Sequence, residues 1–239
     1  YEDLVEGFKA GKYKRVLVLT GAGISVSAGI PDFRSPKTGI YANLAEYNLP
    51  TPETLFALDY FKEKPQAWYK FAKSFDLDDF NPTPAHFFLK MLQDKGILWK
   101  NMTQNIDNLE EKTGMDMEAV LQCHGADRDA ECSVCRAEHS REALKEHIKQ
   151  GEVFYCDKES CAGKKRPIKP AVVFFGESLP PEFCECIQRI PTEPDLCLIM
   201  GTALAVAPFN VLPGCLREGV PKVLFNLDNT KDTGGLDFE

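Results

Sequence analysis

The sequence predicts an α/β fold: a parallel sheet with helical crossings that carries a helical insertion and a cysteine-rich module. Three observations predict it. Short apolar runs recur along the chain, each the length of a buried strand, with helix-like segments between them. The first of these runs feeds a glycine turn, as in the opening unit of a doubly wound nucleotide-binding sheet. Four cysteines fall in two close pairs, at the spacing of a zinc knuckle.

Each element follows from its local pattern. Residues 2–11 read as an amphipathic helix with Leu4, Val5 and Phe8 on one side. Arg15-Val16-Leu17-Val18-Leu19-Thr20 is short, nearly all apolar and rich in β-branching, which favours a buried strand. It runs straight into Gly21-Ala22-Gly23-Ile24-Ser25, where a helix is expected to begin. From 36 to 80, prolines punctuate short segments carrying Tyr47, Phe56, Tyr60, Phe61, Trp68, Tyr69, Phe71 and Phe75. This reads as a small helical insertion with its own apolar face. Thr83-Pro84 opens a further helix with a good N-cap and a proline in its first turn, and Lys95-Gly96 ends it. Strands are expected at 97–103, 171–175, 195–200 and 222–226. Polar or small residues end several of them, at Gly21, Gln104, Gly201 and Asn226, and ligands of such sheets sit at the carboxyl ends of the strands.

Composition narrows the function classes. At 44% hydrophobic and 27% charged residues, the chain has enough apolar material for a sizeable core. A net charge of -8 argues against a general nucleic-acid binder, which needs a basic face, and suits the attraction of basic peptides. No run of 18 or more apolar residues exists, so no membrane span is expected. The first residues lack the core of a signal peptide. Nine cysteines, an odd number, then point to a reducing compartment.

The chemistry-bearing segments differ in specificity. Gly21-Ala22-Gly23 lets a backbone come close to a phosphate, yet it departs from G-x-G-x-x-G, and a tight turn without a ligand explains it equally well. After it, Asp32, Phe33 and Arg34 bring together an acid, an aromatic and a planar cation suited to a diphosphate; a surface loop with an Asp32–Arg34 ion pair is the plainer reading. Gln104-Asn105-Ile106-Asp107 offers amides and a carboxylate for hydroxyls and a carboxamide, or else an Asx turn capping the next helix. Among the four histidines, His124 stands beside Gly125 at a strand-to-loop junction and is the candidate proton carrier, whereas His86 lies on an apolar helix and reads as structural. Cys132-x2-Cys135-x20-Cys156-x4-Cys161 is the most specific signal. Four thiolates complete a tetrahedral zinc shell and leave no position for a substrate water, so the metal is expected to be structural. The other five cysteines are scattered and read as fillers.

Taken jointly, GAGISVSAGIPDFRS (21–35), TQNIDNL (103–109), His124-Gly125, the four zinc cysteines, KPAVVFFGESLP (169–180) and GTALAVAP (201–208) resemble the sirtuins, most closely the eukaryotic class I branch. The likeness covers nearly the whole chain. It implies a discontinuous Rossmann-type NAD-binding domain from 1–36, 81–125 and 170–239, a helical module at 37–80 and a zinc-binding module at 126–169. NAD and an acyl-lysine peptide would meet in a cleft. Carried over by position, Gly21, Ala22, Gly23, Ser25 and Arg34 serve the phosphate end, while Asp32 and Phe33 belong to the cofactor loop. Gln104, Asn105, Ile106 and Asp107 surround the nicotinamide and its ribose. Gly201, Thr202 and Ala203 contact the far phosphate and ribose, and Asn226, Leu227 and Asp228 approach the adenosine. Val173, Phe174, Gly176, Glu177 and Phe56 serve the peptide and its acyl group. His124 and Asn105 are the catalytic pair, with His124 as the base.

The reaction so implied is NAD-dependent deacetylation or deacylation of protein lysines, yielding nicotinamide, O-acyl-ADP-ribose and free lysine. Acyl-lysine proteins such as histone tails or cytoskeletal proteins would be the partners, without nucleic acid or membrane, in the cytoplasm and/or the nucleus. A protein mono-ADP-ribosyltransferase on the same scaffold and a non-enzymatic zinc-ribbon binding module are the alternatives. Two departures stand out: Ala203 replaces the serine usual in the family, and the family's adenine-closing stretch is not recognisable after Asn226.

Overall fold

In a computed structural model of the 239-residue chain, residues 2–33, 39–44, 47, 49–74 and 77–227 are described. Among these, eight strands form: β1 Val16–Thr20, β2 Leu98–Thr103, β3 Val120–Gln122, β4 Gly125–Cys132, β5 Glu138–His139, β6 Ile168–Val172, β7 Leu196–Met200 and β8 Lys222–Phe225. The α-helices are α1 Glu2–Lys9, α2 Leu58–Glu63, α3 Pro65–Lys73, α4 Pro84–Asp94, α5 Leu109–Lys112, α6 Arg141–Gln150 and α7 Pro181–Arg189. They fall into two compact units, one made of residues 1–30, 80–123 and 180–239, the other of 31–79 and 124–179.

The first unit is built on a five-stranded sheet of order β3-β2-β1-β7-β8 in which every neighbouring pair is parallel. The strand order reverses at β1 and β7, which makes their carboxyl ends the switch point of the sheet. All five residues of β1 are buried, as the apolar run predicts for a strand covered on both faces. On one face Val16 and Val18 join Leu89 and Leu92 of α4, with Leu4 and Phe8 of α1 against the same cluster. Thr83 caps α4 in a capping box: its hydroxyl accepts the N3 backbone N–H, while His86 Nδ1 accepts the Thr83 N–H at 3.1 Å. The Thr83 hydroxyl donates to the Ile24 carbonyl at 2.8 Å, which ties the start of α4 to the glycine turn. His86 is therefore the structural histidine that its apolar helix suggests. Burial pushes its pKa down, against the opposing pull of the Asp107 charge.

The second unit pairs a small antiparallel sheet, order β5-β4-β6, with an aromatic helical module. Phe61 packs edge-on against Trp68 at 5.8 Å and Phe174 at 5.4 Å, and the Tyr69 hydroxyl donates to the Ile168 carbonyl at 2.7 Å. Ser140 caps α6 by accepting the Ala143 N–H at 3.2 Å, and Gly151 closes it in the left-handed conformation. Arg141, at the head of that helix, bonds both Asp127 of β4 and Asp78.

Two sequence expectations are corrected. The strand expected at 171–175 in the parallel sheet is β6, at Ile168–Val172, in the antiparallel sheet. Its apolar character reflects pairing with β4, a partner that the local pattern does not name. The helix expected after the glycine turn is replaced by two single 3-10 turns, Ala22–Ile24 and Val26–Ala28. Gly29 then adopts a left-handed φ of 101° and Pro31 follows, which stops helical propagation. Among the described residues no helix is long and apolar enough to cross a membrane.

Candidate functional site

In the first unit, strand register places the polar ends on one edge. Thr20 stands opposite both Thr103 and Met200, and Met200 opposite Phe225. Gly21, Gln104, Gly201 and Asn226 therefore all follow the last paired residues of neighbouring strands. The glycines at this edge are required by the protein itself. A Cβ on Gly23 would lie 2.6 Å from Gly201 Cα, and one on Gly21 would lie 2.7 Å from Thr202 Cβ. Gly201 has a φ of +62°, and its Cβ would meet Ile24 N at 2.5 Å. The Gly23 N–H donates to the Gly201 carbonyl at 2.8 Å, which fastens the two turns together. Gly23→Ala is expected to destabilise the chain by about 1–3 kcal/mol, the usual cost of overpacking, because both sides of the clash are backbone. A thermal melt of this variant at the wild-type Tm would refute the close approach.

Behind that turn lies a buried polar network. The Ser25 hydroxyl donates to Asp107 Oδ2 at 2.6 Å, and Asn105 Nδ2 donates to the Gly21 carbonyl at 3.2 Å and to Ser25 Oγ at 3.3 Å. Asp107 Oδ1 accepts the Leu109 N–H at 3.1 Å, so the Asx-turn reading holds for this residue together with its place in the network. The Thr202 hydroxyl donates to Gln104 Oε1 at 2.6 Å and accepts the Leu204 N–H at 3.1 Å. Ser25, Asn105, Asp107 and Thr202 are all buried; Ile106 is half-buried, and Ala203, Asn226 and Leu227 are exposed. Arg34 and Asp228 lie outside the described residues.

The second unit holds the remaining candidates. His124 is half-buried, and its carbonyl accepts the Val173 N–H at 2.7 Å, so the candidate base and the candidate lysine-binding residue are joined through their backbones. Gly125 makes this possible: its φ is +73°, and a Cβ there would stand 2.3 Å from the Ala171 carbonyl oxygen. Phe56 lies 6.5 Å from Phe174 and 5.9 Å from Phe33, all edge-to-face, so three of the sequence-predicted aromatic residues are neighbours. Asp32 is half-buried and Gly176 exposed. The Glu177 side chain turns inward, with Oε2 3.0 Å from Lys169 Nζ. Its partners are thus internal, and only its backbone is left to pair with a peptide. The sequence reading assigned no role to Lys169, although a lysine inside an apolar strand is itself a signal, because lysine is almost never fully buried unless paired.

The four predicted zinc ligands converge. Cys132 and Cys161 Sγ lie 3.9 Å apart, Cys135 and Cys156 Sγ 3.8 Å apart, and all four sulfurs are within 4.8 Å of one another. A zinc ion ~2.3 Å from each of four sulfurs would space them roughly 3.8 Å apart, so the cage fits it. Donation from the Ala137 backbone N–H holds the Cys135 thiol down at about 6, whereas burial pushes Cys156 up to about 12. Of the other cysteines, Cys123, Cys186 and Cys197 are buried fillers, Cys215 is half-buried and Cys184 is exposed.

The parallel sheet with its polar switch point marks a nucleotide-type α/β protein, and the four-thiol cage adds a structural metal module. Comparison with known families narrows this class. The model of the Sir2 family matches residues 21–208, well over half of the sequence, and the chain belongs to that family. It is similar to the NAD-dependent deacetylase sir2A of Dictyostelium discoideum, 44% identical over 99% of this chain and 46% of that protein. It is also similar to the NAD-dependent protein deacetylase sirtuin-2 of Danio rerio, 42% identical over 96% of this chain and 62% of that protein. A third relative, the NAD-dependent protein deacetylase hst2 of Schizosaccharomyces pombe, is 40% identical over 98% of this chain and 69% of that protein. The chain thus spans between about half and two thirds of the length of these relatives.

Proposed function

We propose that the chain is an NAD-dependent protein-lysine deacylase. The observation that carries this reading is the buried Ser25–Asn105–Asp107 network at the switch point of a parallel sheet. The names of the relatives supply the cofactor and the reaction class. The donor set fits the cofactor: an amide and a carboxylate already oriented by Ser25 can receive a carboxamide and ribose hydroxyls without reorganising. Gly21, Ala22 and Gly23 offer backbone to the phosphates at the strand end, and Gly201, Thr202, Ala203, Asn226 and Leu227 line the same sheet edge.

When bound, NAD supplies a ribose carbon made electrophilic by its nicotinamide leaving group. Asn105 and Asp107 hold the ribose and carboxamide. Phe33 would serve to shield the reacting carbon from water. The Val173 carbonyl accepts the N–H of the acyl-lysine and fixes its oxygen for attack, since proximity supplies most of what a weak nucleophile lacks. His124 takes the proton of a ribose hydroxyl as general base. Phe56 and Phe174 flank the acyl group. The substrates are acyl-lysine segments of proteins, with histone tails and cytoskeletal proteins as the classes to try first. Nine cysteines without a disulfide among those described fit a reducing compartment, the cytoplasm or nucleus. Incubation with NAD and an acetyl-lysine peptide should give deacetylated peptide, nicotinamide and O-acetyl-ADP-ribose in equal amounts by mass spectrometry. Absence of the acetylated sugar product would end this reading, and ADP-ribose retained on protein would replace it with the transferase.

A further inference from the structure

Within the second unit, Lys169 is fully buried on β6, and its ammonium is enclosed by partners. It lies 2.6 Å from Glu131 and 3.0 Å from Glu177, and it donates to the Val172 carbonyl at 2.7 Å and to the Pro170 carbonyl at 3.3 Å. The Phe174 ring sits over it at 5.1 Å. Arg136 bonds the same two carboxylates, at 3.0 Å to Glu131 and also directly to Glu177. Two cations and two anions thus form a neutral cluster that reaches solvent at Arg136, and pairing of this kind is the condition under which the buried charge of Lys169 is tolerated.

The cluster surrounds Val173 without containing it. Lys169 holds the carbonyl of Val172, the residue before it. Glu177 Oε2, itself held by Lys169, accepts the N–H of Phe174, the residue after it, at 2.7 Å. The ring of Phe174 lies against the same ammonium. At its other end the cluster is fixed to the metal module: Glu131 directly precedes Cys132, and Arg136 directly follows Cys135 in a left-handed backbone conformation with a φ of 59°. The Arg136 N–H donates to the Cys132 carbonyl at 3.1 Å, so the turn that carries the cysteine pair also aims the guanidinium.

We propose that Lys169 is a positioning residue for the acyl-lysine substrate: through Val172, Glu177 and Phe174 it sets the backbone that presents the Val173 carbonyl, and through Glu131 and Arg136 it anchors that backbone to the zinc knuckle. This rests on the deacylase reading for its consequence, but not for its geometry. Its signature is selective. Substitution weakens the peptide side of the reaction and spares the NAD side, whose candidate network of Ser25, Asn105 and Asp107 belongs to the other unit.

The test uses Lys169→Met and, should that variant fail to fold, Glu177→Gln, which keeps the shape but turns a charged acceptor into a neutral one. Zinc content and far-UV circular dichroism first establish that the variant is folded. Amide exchange at Phe174 is then expected to accelerate about tenfold, the lower end of what a hydrogen bond to a charged group contributes. The KM for an acetyl-lysine peptide should rise by a similar factor of about ten, while the KM for NAD stays within about twofold. Unchanged Phe174 exchange in a folded, zinc-loaded variant overturns the proposal, as does a KM for NAD that rises with that of the peptide. If the wild type does not deacylate at all, the deacylase reading fails, and the exchange measurement alone decides whether Lys169 positions this turn.

Discussion

Replacing His124 with alanine is expected to lower turnover by about 10²–10⁴-fold, the usual contribution of a positioned general base, while leaving the fold in place. The backbone around this position supports retention of the fold. The His124 carbonyl accepts the Val173 N–H at 2.7 Å. Alanine keeps that carbonyl. The bend that brings it to Val173 belongs to Gly125, which the substitution does not touch. Circular dichroism, zinc content and Tm should therefore match the wild type, and binding of NAD and peptide should persist. The measurement is kcat at saturating concentrations of both substrates. A variant that retains a third or more of the wild-type rate would remove His124 from the role of base, and loss of fold together with activity would show that its side chain is structural.

Stripping the metal should have the largest effect on stability. The edge of the small sheet is its weakest part: β5 is two residues long, and among the described residues it pairs with β4 only through Ala130–His139 and Glu131–Glu138. A two-residue pairing of this kind is marginal by itself. Cys132 ends β4, Cys135 lies in the turn after it, and Cys156 and Cys161 come from the loop before β6, so a single ion joins segments about which the sheet says little. In zinc-finger peptides such sites bind with an apparent ~10–16 kcal/mol at neutral pH, which is folding free energy. A strong chelator, or Cys156→Ser, is expected to abolish the amide protection of β4 and β6 while β1, β2 and β7 keep theirs. Protons compete with the metal for thiolates, so the chelator should act faster as the pH is lowered. Full protection of β4 in protein shown to be free of zinc would overturn this account.

How far the sequence was legible depended on where each residue finds its partner. The strands β1, β7 and β8 are mostly apolar by themselves and bounded by glycine or polar ends, and β2 follows the Lys95-Gly96 stop of α4, so local pattern sufficed. The zinc cage was legible for the same reason, since its spacing is written along the chain. β6 was not: its burial comes from β4, more than thirty residues earlier, and its one charged residue is satisfied by Glu131 and Glu177, which no local rule connects to it. Asp107 shows a third case. As a ligand for a carboxamide or as a cap for the next turn it was ambiguous in sequence, and the structure shows the cap at Leu109 together with the bond from Ser25, because a carboxylate has two oxygens. At Glu177 the sequence reading concerned the backbone, as an added strand for a peptide; the ion pair of its side chain with Lys169 had no local signal.

The interlocked glycines carry a consequence for how this chain can vary. Gly23 and Gly201 each occupy the space that a side chain on the other would need, and they are nearly 180 residues apart in sequence. Single-step substitution at either position meets main chain, so there is no neighbouring side chain whose shrinkage could rescue it. The pair forms a steric lock that a single substitution opens only at a cost in stability. A descendant of this chain that had lost His124, the proposed base, would still lose stability on giving up either glycine. Their presence in a distant homologue is therefore a marker of ancestry, and under the proposed function it is Asn105, Asp107 and His124 that would report on retained chemistry.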